Sequence, residues 1–376
     1  MTRTHTMLAA VLGAMAGMPF ANAQSVDELV AQAVRPLPED LQAGATVYRH
    51  DPATGARVVL RQGTNQVECT PKDDDGFTRC ESVRMGPRRD LAARLEAQGV
   101  EGEELQAALA KAEAAGTIEP IPFGSMLYRA YDEADRIQLL WVVRLPNATS
   151  EQLAMSTASQ RDGSIAGQGL PWMMREGTPA AHLMIPINRT DLSNPGGASS
   201  RANTKTISDP IEQAVLPLPD DLKAGAAVVR YDAKTGERQV LREGTNMIEC
   251  QPYDPETQFI RCYHSSRAAE LELRAQLAAQ GKSDEEIQAA VTAAAAAGTV
   301  AERPFGAIDY RLYQDDDRIK YLWILRLPNA TSADLGMPTG SQRDNALAGR
   351  GLPWMMREGT PAAHLMIPIN GTELSN

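Results

Sequence analysis

Gly169-Leu170-Pro171-Trp172-Met173-Met174-Arg175-Glu176-Gly177-Thr178-Pro179-Ala180-Ala181-His182-Leu183-Met184-Ile185-Pro186-Ile187-Asn188 returns without one change as Gly351 to Asn370. The copies lie 182 residues apart, far beyond the roughly 20–50 residues of a solenoid unit, so each repeat has the size of a whole domain. The duplication also acts as a filter. A residue that carries chemistry in both domains should occur twice.

Outward from this stretch the parallels continue. Each repeat opens with a short helical segment (Val26 to Val34; Ile211 to Val215), followed by Leu-Pro-x-Asp-Leu. Ala45 to Arg49 and Arg57 to Arg61 flank the turn Asp51-Pro52-Ala53-Thr54-Gly55, and Ala227 to Arg230 and Arg238 to Arg242 flank Asp232 to Gly236. Such β-branched runs around an Asp/Gly turn predict hairpins. Gln66 to Cys69 and Phe77 to Cys80 predict two more short strands around a polar loop. A helical pair follows, Arg88 to Gln98 and Glu103 to Ala115, each closed by glycine. In the second repeat Ser283 and Glu286 have the spacing of a capping box. Between 101–115 and 283–297 only 8 of 15 positions match, yet the helix-favouring composition persists, as expected of scaffold. Met126 to Tyr131, Gln138 to Leu145 and His182 to Ile187 have the length and apolar density of sheet strands. The expected fold class is α+β, a mainly antiparallel sheet with a packed helical hairpin, in two tandem copies.

The domain reading is a signal peptide at 1–23, repeat domains at 24–194 and 208–376, and a linker at 195–207. Arg3, the apolar run Met7 to Met18 and Ala21-Asn22-Ala23 have the layout of a secretory signal. Residues 195–207 are almost wholly polar, Gly or Pro, which predicts a flexible connection between domains that fold alone. No other run is long and apolar enough for a membrane span, so the expected location is the periplasm or the medium. The formal net charge is −11, which argues against nucleic acid as partner. An unidentified small molecule or protein remains.

Cys69 and Cys80 fall in the first repeat, Cys250 and Cys262 in the second. In an oxidising compartment this arrangement predicts one disulfide per repeat, with zinc as the alternative. Asp73-Asp74-Asp75 is only partly matched by Asp254-Pro255-Glu256, a weak case for calcium.

Of five histidines only His182 and His364 recur. A serine hydrolase lacks a nucleophile: Ser125 is replaced by Ala307 and Ser156 by Pro338. Glu68/Glu249, Asp135/Asp317, Asp162/Asp344 and Glu176/Glu358 are recurring acids, but nothing pairs them for glycosidase chemistry. A hydrolase of unknown substrate is therefore the weakest reading, and no catalytic residue is assigned. Arg161 and Arg175, with Arg343 and Arg357, are candidates for holding an anion, because guanidinium forks match carboxylate and phosphate. The simpler alternative pairs Arg175 with Glu176 or Asp162. His182 with Met184, and His364 with Met366, are alternative copper ligands, since imidazole and thioether suit Cu(I). Against this stands a packing role, with the histidine hydrogen-bonded in a core strand. The sequons at Asn147, Asn188, Asn329 and Asn370 are two sites duplicated, with no glycan expected in a bacterial setting.

Gly63-Thr64-Asn65-Gln66-Val67-Glu68-Cys69 and Gly244-Thr245-Asn246-Met247-Ile248-Glu249-Cys250, each after Leu-Arg-x, resemble a pattern in a family of secreted bacterial proteins. That family has Arg-x-Gly-Thr-Asn, two cysteines around an Asp/Pro-rich loop, and a terminal Pro-x-His-x-Met-like segment similar to Pro179 to Met184. The resemblance implies export and domain type, and no settled activity. The resulting expectation is an exported, non-catalytic tandem module that binds an unidentified ligand without a cofactor, with copper binding as the alternative.

Overall fold

The computed structural model describes residues 24–73, 76–188, 207–255, 257–302, 304–315 and 317–371. The signal reading at 1–23, the linker at 195–206, and Asp74, Asp75 and Glu256 lie outside the described residues.

The first repeat runs α1 (Val26–Ala33), α2 (Glu39–Gln42), β1 (Thr46–His50), β2 (Arg57–Arg61), β3 (Val67–Thr70), β4 (Phe77–Ser82), α3 (Gly86–Glu96), α4 (Gly102–Ala114), β5 (Met126–Tyr131), β6 (Leu139–Arg144), α5 (Ser150–Leu153), α6 (Arg161–Ile165), β7 (Trp172–Met174) and β8 (His182–Pro186). The second repeats it as α7 (Pro210–Ala214), α8 (Asp220–Lys223), β9 (Ala227–Tyr231), β10 (Arg238–Arg242), β11 (Ile248–Asp254), β12 (Phe259–His264), α9 (Ala268–Ala279), α10 (Asp284–Ala296), β13 (Ile308–Tyr313), β14 (Tyr321–Arg326), α11 (Ser332–Leu335), α12 (Arg343–Leu347), β15 (Trp354–Met356) and β16 (His364–Pro368). Each repeat forms one eight-stranded sheet, ordered β2-β1-β3-β4-β5-β6-β8-β7 and β10-β9-β11-β12-β13-β14-β16-β15. All pairings are antiparallel except β1 with β3 and β9 with β11. The expected α+β class, in two tandem copies, is what the chain adopts.

Local chemistry sets these elements. The β1–β2 turn places Gly55 at φ +67, and a Cβ there would lie 2.4 Å from the Ala93 carbonyl oxygen. Only glycine lets this turn press against α3. Ser283 and Glu286 close the predicted capping box on α10. Disulfides Cys69–Cys80 and Cys250–Cys262 bridge directly paired residues of neighbouring strands. Both sulfurs of each pair are thereby consumed, which removes the zinc alternative.

Strand alternation gives each sheet two faces. The inner face, carrying Val67, Cys69, Cys80, Met126, Tyr128, Trp141, Val143, Leu183 and Ile185, joins α1 and the corresponding residues of the second repeat in one hydrophobic cluster. The repeats thus share a core, where the sequence reading expected domains that fold alone. The contacts are reciprocal, as across a two-fold axis. Tyr128 donates to the Gly336 carbonyl and Tyr310 to that of Ala154. Asn188 and Asn370 each donate to the other's carbonyl at 3.4 Å. Phe123 and Phe305 meet edge-on at 5.6 Å. Burial of Asn188 and Asn370 also leaves no room for a glycan at those two sequons.

On the outer face α3 lies over the β1–β4 end, and α4 packs on α3 through Leu105 and Leu109. Arg89 of α3 donates to Glu81 of β4, and Asp90 meets Arg57 of β2 and His50 of β1. Among the described residues no helical hairpin covers the β5–β8 end.

Candidate functional site

Outward from β13 and β14 point Asp309, Arg311 and Tyr313, and Leu322, Ile324 and Arg326; their neighbours Ile308, Tyr310, Leu312, Tyr321, Trp323 and Leu325 belong to the inner core. The strand register sets His364 of β16 directly opposite both Arg326 and Met356, and Met366 opposite Ile324 and Trp354. The outward side chains other than Asp309, together with those of β15 and β16 just named and Asp317, Arg318, Ile319, Ser341, Arg343 and Arg357, line a cavity of about 450 Å³. Its floor is apolar. Five arginines and one histidine surround it, with Asp317 at its rim.

Each cation is held differently. Arg326 is tied from behind to buried Asp309, which also accepts from Arg267 at 2.8 Å. Asp309 is desolvated, yet Arg326, Arg267 and Arg311 outweigh that and hold its carboxyl well below the usual carboxylate range. Arg311 donates to the Tyr313 hydroxyl at 3.0 Å, and Arg318 lies 5.5 Å over the Tyr313 ring. Arg343, at the start of α12, donates to the Asp317 carbonyl at 2.8 Å. Arg357 occupies the left-handed region at φ 55, and so does Arg175. A non-glycine residue there costs about 1–2 kcal/mol, and both repeats carry that strain at the same site. Thr360 clamps the turn by donating to the Arg357 carbonyl at 2.7 Å.

His364 donates from Nδ1 to the Ala362 carbonyl at 2.7 Å, so the neutral ring presents its Nε2 lone pair elsewhere. Burial lowers its pKa, and Arg326, Arg311 and Arg357 add to that against the partial offset of the Ala362 bond. The site therefore combines guanidinium donors, a neutral imidazole acceptor and an apolar floor. Such a set of groups suits an anion with an apolar body.

The sequence candidates Arg343, Arg357, His364 and Met366 converge on this one cavity. In the first repeat, Arg144, Met174 and His182 hold the same mutual register, Arg161 donates to the Asp135 carbonyl at 2.8 Å, and His182 donates to the Ala180 carbonyl at 2.7 Å. Asp162, expected to pair with Arg175, lies instead 3.6 Å from Arg161 at the surface. Glu176 is instead taken by the Ser150 amide at 2.7 Å, so the Arg175–Glu176 pairing is replaced. The core-strand reading of His182 needs correction too: Leu183 and Ile185 are core, while His182 and Met184 occupy the opposite, half-buried face. Arg311, Arg318 and Arg326, and Arg129, Arg136 and Arg144, were not among the candidates. The signal for Arg129 and Arg144 was the pair of strands Met126–Tyr131 and Leu139–Arg144 read two residues at a time; Arg136 and Arg318 lie in the loops that join such strands.

Repeat drift separates this face from the rest. Of the fifteen cavity residues fourteen recur, the exception being Ile324 for Val142; among the ten outside the identical stretch, nine recur. Duplicate identity alone does not explain this. On the same two strands four of six outward residues match but only two of six inward residues. Cores are normally the more constrained side, because volume changes are felt there.

The hydrolase candidates fare poorly. Ser125 is fully buried, and Ser156 donates to Asp221 at 2.9 Å with no histidine in the arrangement. Glu68 is bound by Arg57, Glu249 by Arg238 and Tyr263, and Glu358 by the Ser332 amide. Asp73 faces Arg79 at 3.6 Å. Among the described residues, no helix is long and apolar enough to cross a membrane and no cluster of three His, Cys, Asp or Glu side chains has metal-holding geometry. Comparison of the chain with family models, with curated proteins and with solved structures finds no match.

Proposed function

We propose that the protein is an exported, non-catalytic tandem module that binds an organic anion on the outer face of each sheet, one per repeat. The observation that carries this reading is the arginine-lined cavity, whose lining is retained between repeats while the adjoining core drifts. It is a cationic site in a chain of net charge −11, so the positive charge is local. The two disulfides fit an oxidising compartment, and the secretory layout of residues 1–23 supports the periplasm or the medium.

Copper binding is the weaker reading. His182 Nε2 is available, but burial first and then Arg129, Arg175 and Arg144 depress the charged form of that ring, and the arginine field opposes a metal cation as well.

Calorimetric titration with short-chain carboxylates, phosphate monoesters and sulfate esters tests the proposal. The expected result is two equivalents per chain of at least one class, weakening with salt. Arg175→Ala should leave one equivalent and Arg175→Ala with Arg357→Ala none. Absence of binding across all three classes, or tight Cu(I) uptake that halves in His182→Gln, overturns it.

A further inference from the structure

A second cavity, of about 520 Å³, opens between the repeats and differs chemically from the first. Phe123 and Phe305, one from each repeat, line it with Leu153 and Met247. No described lining residue is a lysine or arginine, and Glu151 stands at the rim, so an anion is disfavoured there.

Asn147, Glu151 and Gln152 line this cleft on the side of the first repeat, and His264 on the side of the second. His264 is 5% exposed. Its Nδ1 faces the Ser266 backbone amide at 3.2 Å and the Ser266 hydroxyl at 2.8 Å; with both donating to it, the proton of the neutral ring sits on Nε2. Burial lowers its pKa despite Asp309, which favours the neutral ring. Among the described residues none accepts from that Nε2–H.

The two-fold relation is broken at this place. Met247 and His264 replace Gln66 and Ser82 of the first repeat. On that other side Gln66 donates to the Met337 carbonyl at 3.4 Å, and Gly336 packs so closely that a Cβ would lie 3.0 Å from the Ser82 Cα. Ala154 stands where Gly336 does. The gap is closed on one side and open on the other.

We infer that the inter-repeat cleft is a single binding site for a neutral, carbonyl-bearing aromatic molecule, its ring packed against the edge-on Phe123–Phe305 pair and its carbonyl accepting from His264 Nε2. Apolar pockets with a few convergent polar groups are the usual form of such sites. The inference is independent of the anion sites, and stoichiometry distinguishes them: one per chain here, two there.

The test uses the whole chain and two neutral fluorescent probes, 6-propionyl-2-dimethylaminonaphthalene and a naphthylamine that lacks the ketone. The ketone probe should saturate at one equivalent with a blue-shifted emission and bind more tightly than the ketone-free probe. His264→Ser, the first repeat's residue, should weaken the ketone probe about three- to tenfold, the value of one hydrogen bond, and leave the other probe unchanged. Met247→Trp, which fills a half-buried wall, should abolish both. No saturable binding by the unaltered protein, two equivalents, or no preference for the ketone overturns the inference whether or not the variants fold. So does equal weakening of both probes by His264→Ser.

Discussion

The outer faces of the two repeats retain the same arginine and neutralise it from different places. In the first, Arg144 and Arg89 converge on Glu81 of β4. In the second, position 263 is Tyr, and Arg326 and Arg267 converge on Asp309 of β13, where the first repeat has Leu127. The inner core shows a similar exchange. Trp141 donates to the Pro36 carbonyl at 3.2 Å, whereas Tyr321 donates to the equivalent Pro217 carbonyl at 2.7 Å. Supporting groups move between strands while the cavity residue they support stays. A guanidinium that only filled space would not need a buried carboxylate to be rebuilt behind it. Burying a charge is costly unless it is paired.

That comparison breaks first at the acid. Glu81→Gln strands Arg144, Arg89 and Arg79 beside a neutral amide and should destabilise by about 3–5 kcal/mol in urea unfolding. Asp309→Asn should cost a similar amount. Leu127→Asp added to Glu81→Tyr imports the second repeat's arrangement and should recover part of the loss; no recovery would mean that the two solutions are not interchangeable. Both carboxyls are held well below the usual carboxylate range. Their stabilisation is therefore complete above the unfolded pKa of about 4 and is lost as pH falls below it toward the folded values. His182 and His364, with depressed pKa values, change stability in the same direction, beginning near pH 6.5 for the unfolded chain. Stability flat from pH 7 to pH 3 would refute this assignment.

Much of the fold was legible because it is local. Hairpins, helix caps and the alternation of Met126 to Tyr131 follow from short-range backbone chemistry. The site was half legible: His364, Arg343 and Arg357 stood out because they recur. Arg311 and Arg326 were obscured because they sit within apolar strands, where alternation and burial compete as signals. Three short elements, α5, α6 and β7, are too brief for periodicity to reveal. The shared core was illegible for a different reason. Duplicated sequence looks self-sufficient, and nothing local distinguishes an inner face that packs on helices from one that packs on its own copy.

The shared core makes the next prediction. Segments 24–194 and 208–376 produced as separate chains should combine one-to-one, because Tyr128, Leu145 and Leu153 in one and Tyr310, Leu327 and Leu335 in the other lose their cover alone. Sedimentation should show the complex or like-with-like pairs, with melting temperature rising with concentration. Two stable monomers that ignore each other would show that the hydrophobic cluster is not needed for folding. The disulfides, by contrast, should contribute equally in both halves. They close loops with separations of 11 and 12 residues, worth about 2–3 kcal/mol each. Cys69→Ser with Cys80→Ser should match Cys250→Ser with Cys262→Ser within about 1 kcal/mol.

The finest difference between the halves is one methyl group. Ala154 holds φ 57 and Gly336 holds φ 67 at equivalent helix ends, and each offers its carbonyl to a tyrosine of the other repeat. Alanine in this region costs about 1–2 kcal/mol relative to glycine, which argues that Ala154→Gly stabilises. The Ala154 methyl, however, belongs to the shared core, and burying one such group contributes about 0.8 kcal/mol. The two terms nearly cancel, so Ala154→Gly should change stability by less than about 1 kcal/mol. Gly336→Ala has no such offset. It incurs the conformational cost and forces its Cβ to 3.0 Å from the Ser82 Cα, closer than backbone atoms tolerate without moving. Its destabilisation should exceed that of Ala154→Gly by at least about 1 kcal/mol in paired urea titrations. Equal effects would mean that the open and closed sides of the repeat interface are packed alike, and the asymmetry attributed to Met247 and His264 would lose its support.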